Sequence, residues 1–319
     1  VGEPIGVLGG GEFGRALAVA AARSGAEVRL WSRRTIAVDA PRVRVTTELG
    51  ELASATLIFV AVPSAHVDEA ARRVGAFLDG RHYLVHVSRG LLGNEHLGDE
   101  LHTLTSRLRT LTPVRRVGAL GGPLVASALR DGTPGGAIVG TRFPEVRDAV
   151  RLALAGPSLR IESTEDVVGV EIASAMVGLF ALGAGCVMGT GGGPAALALY
   201  LSRAMEEATR LGVALGADAR TFAGLAGVGD LIAAVAGDNR PEMRLGLALA
   251  EGGDLESAAA RTGAYIEGVS IGARVAAFAR VHGLKMPIST LLADLATGRM
   301  PPTEAAAALA LGGLKTGHR

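Results

Sequence analysis

Short apolar runs alternate with longer stretches of helical spacing through the first half of this chain. Ile5–Leu8 reads as a strand buried on both faces, and residues 12–24 read as a helix with Ala and Leu recurring at helical intervals. Residues 27–31, 57–62, 83–87 and 137–139 read as further strands, with a helical pattern over 65–78. Strands alternating with helices predict a parallel sheet covered on both faces. The pattern changes after about Glu162. Helical periods punctuated by Gly and Pro then run over 167–188, 195–211, 231–237, 241–251, 266–282, 288–297 and 302–311, with no strand between them. The expectation is an α/β protein. A doubly wound Rossmann domain would occupy residues 1–165, and an all-helical substrate and dimerisation domain residues 166–319, joined within 161–167. There is no internal repeat and no low-complexity linker.

Length fits this division, since 319 residues exceed what one core usually holds. The net charge of +1, without any block of like charge, argues against a nucleic-acid or anionic-membrane surface. One cysteine, Cys186, excludes an intrachain disulfide and fits a reducing cytoplasm. No charged segment followed by an apolar one opens the sequence, so a cytoplasmic location is expected. Residues 172–190 carry no charge and approach the length of a membrane span. Their many Gly and Ala, in a segment with no second one like it, predict a buried central helix and no membrane insertion. The histidines show no metal-ligand spacing. Of the 32 basic residues only Lys285 and Lys315 are lysines, so the other 30 are arginines.

The clearest chemistry lies near the start. Gly9-Gly10-Gly11-Glu12-Phe13-Gly14 fits G-x-G-x-x-G, directly after the first strand and opening the first helix. The first Gly permits the tight turn, the second lets backbone approach a pyrophosphate, and the third allows close helix–strand packing. The free N–H groups of the helix N-terminus favour phosphate. Gly9, Gly11, Glu12, Phe13 and Gly14 are therefore candidate cofactor-binding residues. The second strand ends in Ser32-Arg33-Arg34, where an NAD-selective site usually has an acidic residue for the ribose hydroxyls. Guanidinium groups bind a 2′-phosphate in bidentate fashion. Arg33 and Arg34 thus favour NADP(H), with NAD(H) still possible; as a solvated loop they would favour neither.

Later segments resemble the bacterial NAD(P)-dependent glycerol-3-phosphate dehydrogenase family along nearly the whole chain. The matches include Leu30–Arg34, Ala61-Val62-Pro63-Ser64, Ser88-Arg89-Gly90, Gly122-Pro123-Leu124-Val125-Ala126, Ile266-Glu267-Gly268-Val269 and Met286-Pro287-Ile288. The most specific runs from Thr221 through Phe222, Ala223, Gly224, Leu225, Ala226, Gly227, Val228, Gly229 and Asp230 to Leu231. The resemblance implies a homodimer that interconverts dihydroxyacetone phosphate and sn-glycerol 3-phosphate. It also implies cofactor contacts at Arg89, Ala126 and Glu267, and substrate contacts at Arg89 and Gly122.

Departures fall on the residues that would carry the chemistry. The family's Lys-Asn pair, whose lysine handles the carbonyl proton, aligns here with Met176-Val177, so the position of the lysine is held by an inactive methionine. A family Thr is replaced by Ala234. The Ser-Arg-Asn that holds the substrate phosphate aligns with Arg240-Pro241-Glu242, and Leu124 replaces a serine. Arg240 and Arg244 remain candidates for an anion. Arg89 keeps the charge of a family lysine, but arginine stays protonated and is a poor proton donor. A general acid is worth roughly 10²–10⁴ in rate, so efficient turnover of the family substrate is not expected. The expected substrate is a less phosphorylated carbonyl or alcohol. The alternative is a non-catalytic NADP(H)-binding sensor or partner subunit.

Other residues stay open between two roles. Asp230 is either a catalytic-site carboxylate or the cap of a helix beginning near Leu231. Glu171 is either a buried general acid or the partner of an arginine. His66 is either a proton donor near the cofactor or a surface residue at a helix start. Cys186 and Met188 read as core.

Overall fold

The computed structural model describes residues 3–93, 96, 98, 100–237, 240–252, 255–262 and 267–313. The chain divides into two compact units. Val1–Arg89 and Thr103–Glu171 form the first; Gly90–His102 and Ile172–Arg319 form the second.

The first unit is built on an eight-stranded sheet. Its strands are β1 (Ile5–Leu8), β2 (Val28–Trp31), β3 (Val43–Thr46), β4 (Leu57–Val60), β5 (Tyr83–His86), β6 (Arg116–Gly121), β7 (Gly135–Gly140) and β8 (Leu159–Thr164). They lie in the order β8-β7-β6-β5-β4-β1-β2-β3. All neighbours are parallel except β6 and β7, which run antiparallel. Helices α1 (Glu12–Arg23), α2 (Val67–Gly75), α3 (Leu104–Leu111), α4 (Ala126–Asp131) and α5 (Pro144–Leu154) connect the strands. The order reverses between β1 and β4, and in such sheets ligands bind beyond the carboxyl ends of the strands at that point. Val7, Leu30, Phe59, Val85 and Leu17 of α1 are wholly buried in one core. Residues of β1 and β4 are apolar throughout because both faces of these strands are covered.

The second unit is helical. Its helices are α6 (Val167–Gly189, which begins in the first unit), α7 (Pro194–Ala214), α8 (Ala219–Ala223), α9 (Asp230–Val235), α10 (Pro241–Ala250), α11 (Leu255–Thr262), α12 (Glu267–His282), α13 (Pro287–Ala296) and α14 (Pro302–Ala310). A two-stranded ribbon, Leu92–Gly93 with Leu101–His102, joins them. α6 is apolar on every side, which in a globular fold means burial all round. Its most apolar 18-residue stretch is 89% buried, as a core helix requires. Glycines let its neighbours come close. A Cβ on Gly246 of α10 would stand 2.0 Å from the Leu182 carbonyl oxygen, and one on Gly183 would stand 2.1 Å from the Tyr200 hydroxyl. That hydroxyl donates to the Phe180 carbonyl at 2.9 Å.

Three strands go unread in the sequence. Val43–Thr46 is a four-residue edge, Arg116–Gly121 is interrupted by Gly118 and ends in Gly121, and Leu159–Thr164 mixes charge with apolar positions. Pairing with neighbours, rather than local pattern, makes them strands. The division at Glu171, with Gly90–His102 joining the second unit, also differs from the expected junction within 161–167. At two residues per strand, the ribbon is too short to announce its allegiance. The expected helix start at Ile266 lies outside the described residues.

Candidate active site

The glycine loop has the shape its spacing predicts. Gly9 adopts φ +128, and a Cβ there would lie 2.3 Å from the Ala61 carbonyl oxygen. A Cβ on Gly14 would lie 1.9 Å from the Gly9 carbonyl oxygen, so α1 can pack onto the loop only with hydrogen at this position. Gly11 is different. A Cβ there would meet nothing within 4 Å. Gly11 is also the N-cap of α1, in extended conformation and with no side-chain cap. The first N–H groups of that helix, at Glu12, Phe13 and Gly14, have no partner in the preceding turn. The residues therefore fit a pyrophosphate: open space over Gly11, unused donors and the positive end of a helix dipole.

Beside the loop, Arg33 lines a hollow of about 70 Å³ with Trp31, Val62, Pro63, His66 and Arg73. Arg33 and Arg34 are exposed, and the buried Ser32 hydroxyl accepts from the Arg34 N–H at 3.4 Å. His66 is exposed at the start of α2 and faces this hollow. Arg73 is a residue that sequence reading missed. It projects from α2 with its guanidinium carbon 5.8 Å from the centre of the Trp31 ring.

At the end of β5 the chain passes Ser88 and Arg89. The Ser88 hydroxyl donates to the Val62 carbonyl at 2.5 Å, and Arg89 Nη2 donates to the Gly122 carbonyl at 3.5 Å. Gly122 has φ +96, a conformation that favours glycine. The same carbonyl accepts from Leu124 N at 2.7 Å, and Ala126 opens α4 with no side-chain cap before it. Arg89 and Gly122, paired only by resemblance in the sequence, thus stand together.

Glu171 has a different partner from the expected arginine. Its Oε1 lies 2.9 Å from His86 Nε2 and accepts from Thr105 N–H at 2.8 Å. Its Oε2 accepts from the Thr105 hydroxyl at 2.5 Å. All three residues are buried. His86 had no signal in the sequence, since a histidine closing an apolar strand reads as part of that strand.

In the second unit, Asp230 is the first residue of α9, and the N-cap position is held by Gly229. The capping role is corrected for a physical reason: the carboxylate is fully buried and paired with Arg240. The glycine-rich run before it forms a wide π-type turn, Leu225–Gly229, where a Cβ on Gly227 would lie 2.1 Å from the Phe222 carbonyl oxygen. Such turns gather at functional sites. Arg240 is itself buried, and its Nε has no hydrogen-bond partner among the described residues. Two residues on, Glu242 Oε1 lies 3.7 Å from where a Cβ of Gly178 would stand. Arg244 is exposed on α10. Met176 and Val177 are fully buried in α6. Glu267 opens α12, but its side chain lies outside what is described. Lys285 is exposed just before α13, and Lys315 lies outside the described residues.

The chain is similar to known proteins along most of its length. Residues 166–307 match the family model described as NAD-dependent glycerol-3-phosphate dehydrogenase C-terminus. Residues 4–90 match the one described as NADP oxidoreductase coenzyme F420-dependent. Glycerol-3-phosphate dehydrogenase [NAD(P)+] of Azotobacter vinelandii is 33% identical over 316 residues, covering 93% of this chain and 91% of that protein. The enzyme of the same description from Moorella thermoacetica is 33% identical, covering 96% and 95%. The crystal structure of glycerol-3-phosphate dehydrogenase from Coxiella burnetii superposes with a TM-score of 0.88 at 27% identity, covering 96% of this chain and 98% of that one. Identity at this level along almost all of both chains makes this protein a member of the NAD(P)-dependent glycerol-3-phosphate dehydrogenase family.

Proposed function

We propose that this chain is an oxidoreductase that prefers NADP(H) to NAD(H) and acts on a carbonyl–alcohol pair carrying less phosphate charge than dihydroxyacetone phosphate. The coenzyme, when bound, supplies or accepts the hydride. The loop of Gly9, Gly11 and Gly14 holds its pyrophosphate against the N-terminus of α1. Arg33 and Arg34 meet the 2′-phosphate. Arg89 orients an anionic group beside Gly122.

One observation carries the substrate reading. The guanidinium of Arg240, the best-placed cation for a substrate phosphate in the second unit, is neutralised by the buried Asp230. Glu242, two residues along, holds a carboxylate with no hydrogen bond or ion pair among the described residues. Asp230, Arg240 and Glu242 together are net negative. A phosphate there would face repulsion where it needs donors. The residues of α6 from Met176 to Gly178 also offer no proton. The decisive test is NADPH oxidation with dihydroxyacetone phosphate beside uncharged hydroxyketones, at saturating levels. Turnover of the phosphate near 1 s⁻¹, roughly the ordinary range for enzymes, would overturn the reading, as would a complex with phosphate held by Arg240 or Arg244.

A second reading is favoured by the absence of any acid on α6 between Glu171 and Cys186, whose thiol burial pushes up to about 12. On this reading the chain binds NADP(H) without catalysis, as a sensor or partner subunit. Introducing lysine at Met176, or separately at Val177, distinguishes the two. Recovered turnover of dihydroxyacetone phosphate identifies a site that has lost its acid. A cytoplasmic homodimer is proposed on the family resemblance alone, and light scattering of the purified protein tests the dimer.

A further inference from the structure

Both ring nitrogens of His86 are engaged, and they connect two different parts of the first unit. Nδ1 lies 3.2 Å from the Ser88 carbonyl oxygen, which has only lone pairs to offer, so Nδ1 carries a hydrogen and donates. Nε2 faces Glu171 Oε1 at 2.9 Å. That carboxylate is held in turn by the N–H and hydroxyl of Thr105 at the start of α3. The imidazole therefore has one orientation, set by Glu171 from one side, and it fixes the Ser88 peptide on the other. The next residue is Arg89.

We propose that His86 is a positioning residue: anchored by Glu171 and Thr105, it holds the Ser88 peptide so that the Arg89 guanidinium stands beside the Gly122 carbonyl, ready to take an anionic group. This rests on the reading of Arg89 as a residue that holds an anionic group of the coenzyme. It assigns a role to a buried histidine and glutamate that the proposed reaction otherwise leaves unused. The Ser88 hydroxyl also donates to the Val62 carbonyl, so loss of the histidine bond is expected to loosen the turn without unfolding it.

Two isosteres separate the two halves of the contact. Asparagine at position 86 can present an amide N–H where Nδ1 stands but cannot reach Glu171. Glutamine can present one where Nε2 stands but loses the Ser88 carbonyl. His86→Gln is expected to raise the Kd for NADPH on the order of fivefold, the effect of one neutral hydrogen bond. It should also speed amide hydrogen exchange at Arg89 and Gly90. His86→Asn keeps the Ser88 bond without its anchor, so it should shift both in the same direction by a smaller amount while lowering the melting temperature. In a double-mutant cycle, adding His86→Gln to Arg89→Gln should cause no further loss of NADPH affinity. If the two losses multiply, or if exchange at Arg89 is unchanged in His86→Gln, the positioning role is overturned and His86 is only part of the core. Should His86→Gln fail to fold, Thr105→Val loosens Glu171 without touching the ring and is expected to shift exchange at Arg89 in the same direction. If Arg89→Gln itself leaves NADPH binding intact, the reading of Arg89 fails, and exchange at residues 89–90 still decides the role of His86.

Discussion

Gly11→Ala separates binding from folding more cleanly than any other change in the loop. Gly11 has φ −67 and ψ 178, a conformation alanine adopts freely. Its Cβ would meet nothing within 4 Å, so no neighbour in the protein resists the methyl group. Replacing glycine under these conditions restricts the unfolded chain and stabilises by about 0.4–1 kcal/mol. Gly11 is also the N-cap of α1, where glycine is preferred to alanine, so the two effects offset and the melting temperature should change little. Cofactor binding should fall, because the methyl occupies the space through which a pyrophosphate reaches the N–H groups of α1. A hydrogen bond to a charged oxygen contributes about 1.5–3 kcal/mol. Loss of one such bond, at about 1.4 kcal/mol per factor of ten, weakens NADPH binding roughly 10- to 150-fold. Gly14→Ala is the control. Its Cβ would stand 1.9 Å from the Gly9 carbonyl oxygen, so α1 must move off the loop, and overpacking of this kind costs about 1–3 kcal/mol. The assay is a fluorescence titration with NADPH beside thermal melting of both variants. A Gly11→Ala protein that folds and binds NADPH like wild type would refute the assignment of this loop to the pyrophosphate.

Arg33→Ala should weaken NADPH binding by about 10- to 100-fold while leaving NADH nearly unchanged, because only the 2′-phosphate needs the guanidinium; the ratio of the two dissociation constants is the readout. Asp230→Ala and Arg240→Ala should each cost about 3–5 kcal/mol in urea unfolding, since either leaves a buried charge uncompensated, and the double variant should recover part of the loss. Glu207→Ala should cost about 2–3 kcal/mol, because its buried carboxylate accepts from Ile288 N–H at 2.6 Å, Ser289 N–H at 2.9 Å and the Ser289 hydroxyl at 2.8 Å. Burial holds the Glu207 carboxyl above its ordinary value despite those bonds. The folded state therefore keeps the proton more readily, and this contribution to stability is full below the unfolded value and is lost as pH rises through the folded one. The melting-temperature advantage of wild type over Glu207→Gln should shrink over that interval as pH rises, and an advantage that grows instead would reverse the sign of the argument.

The fold could be read from residues to a large extent because its signals are local. A strand such as Ile5–Leu8 is buried on both faces and therefore apolar at every position, and the helix after it starts where a G-x-G-x-x-G loop must place one. The loop proposed for the coenzyme is legible for the same reason: three glycines with separate steric duties sit within six residues. The edge strand Val43–Thr46 and the ribbon Leu92–Gly93 with Leu101–His102 were not legible, since backbone pairing with distant residues creates them. Asp230 shows the limit most clearly. An aspartate at a helix start is a cap by local rule, yet its carboxylate meets a guanidinium ten residues along the chain.

Residue type and spacing alone give the alternation of strand and helix, the switch to an all-helical half, the G-x-G-x-x-G loop, the two arginines after the second strand, and the absence of a lysine from α6. These follow from residue type and spacing within a few turns of chain. The fold itself brings Glu171 to His86 and Thr105, which lie 85 and 66 residues away, and pairs Arg240 with Asp230. Buried polar groups must find partners wherever the fold brings them, because an unpaired one costs more than a bond contributes. No local pattern encodes that choice.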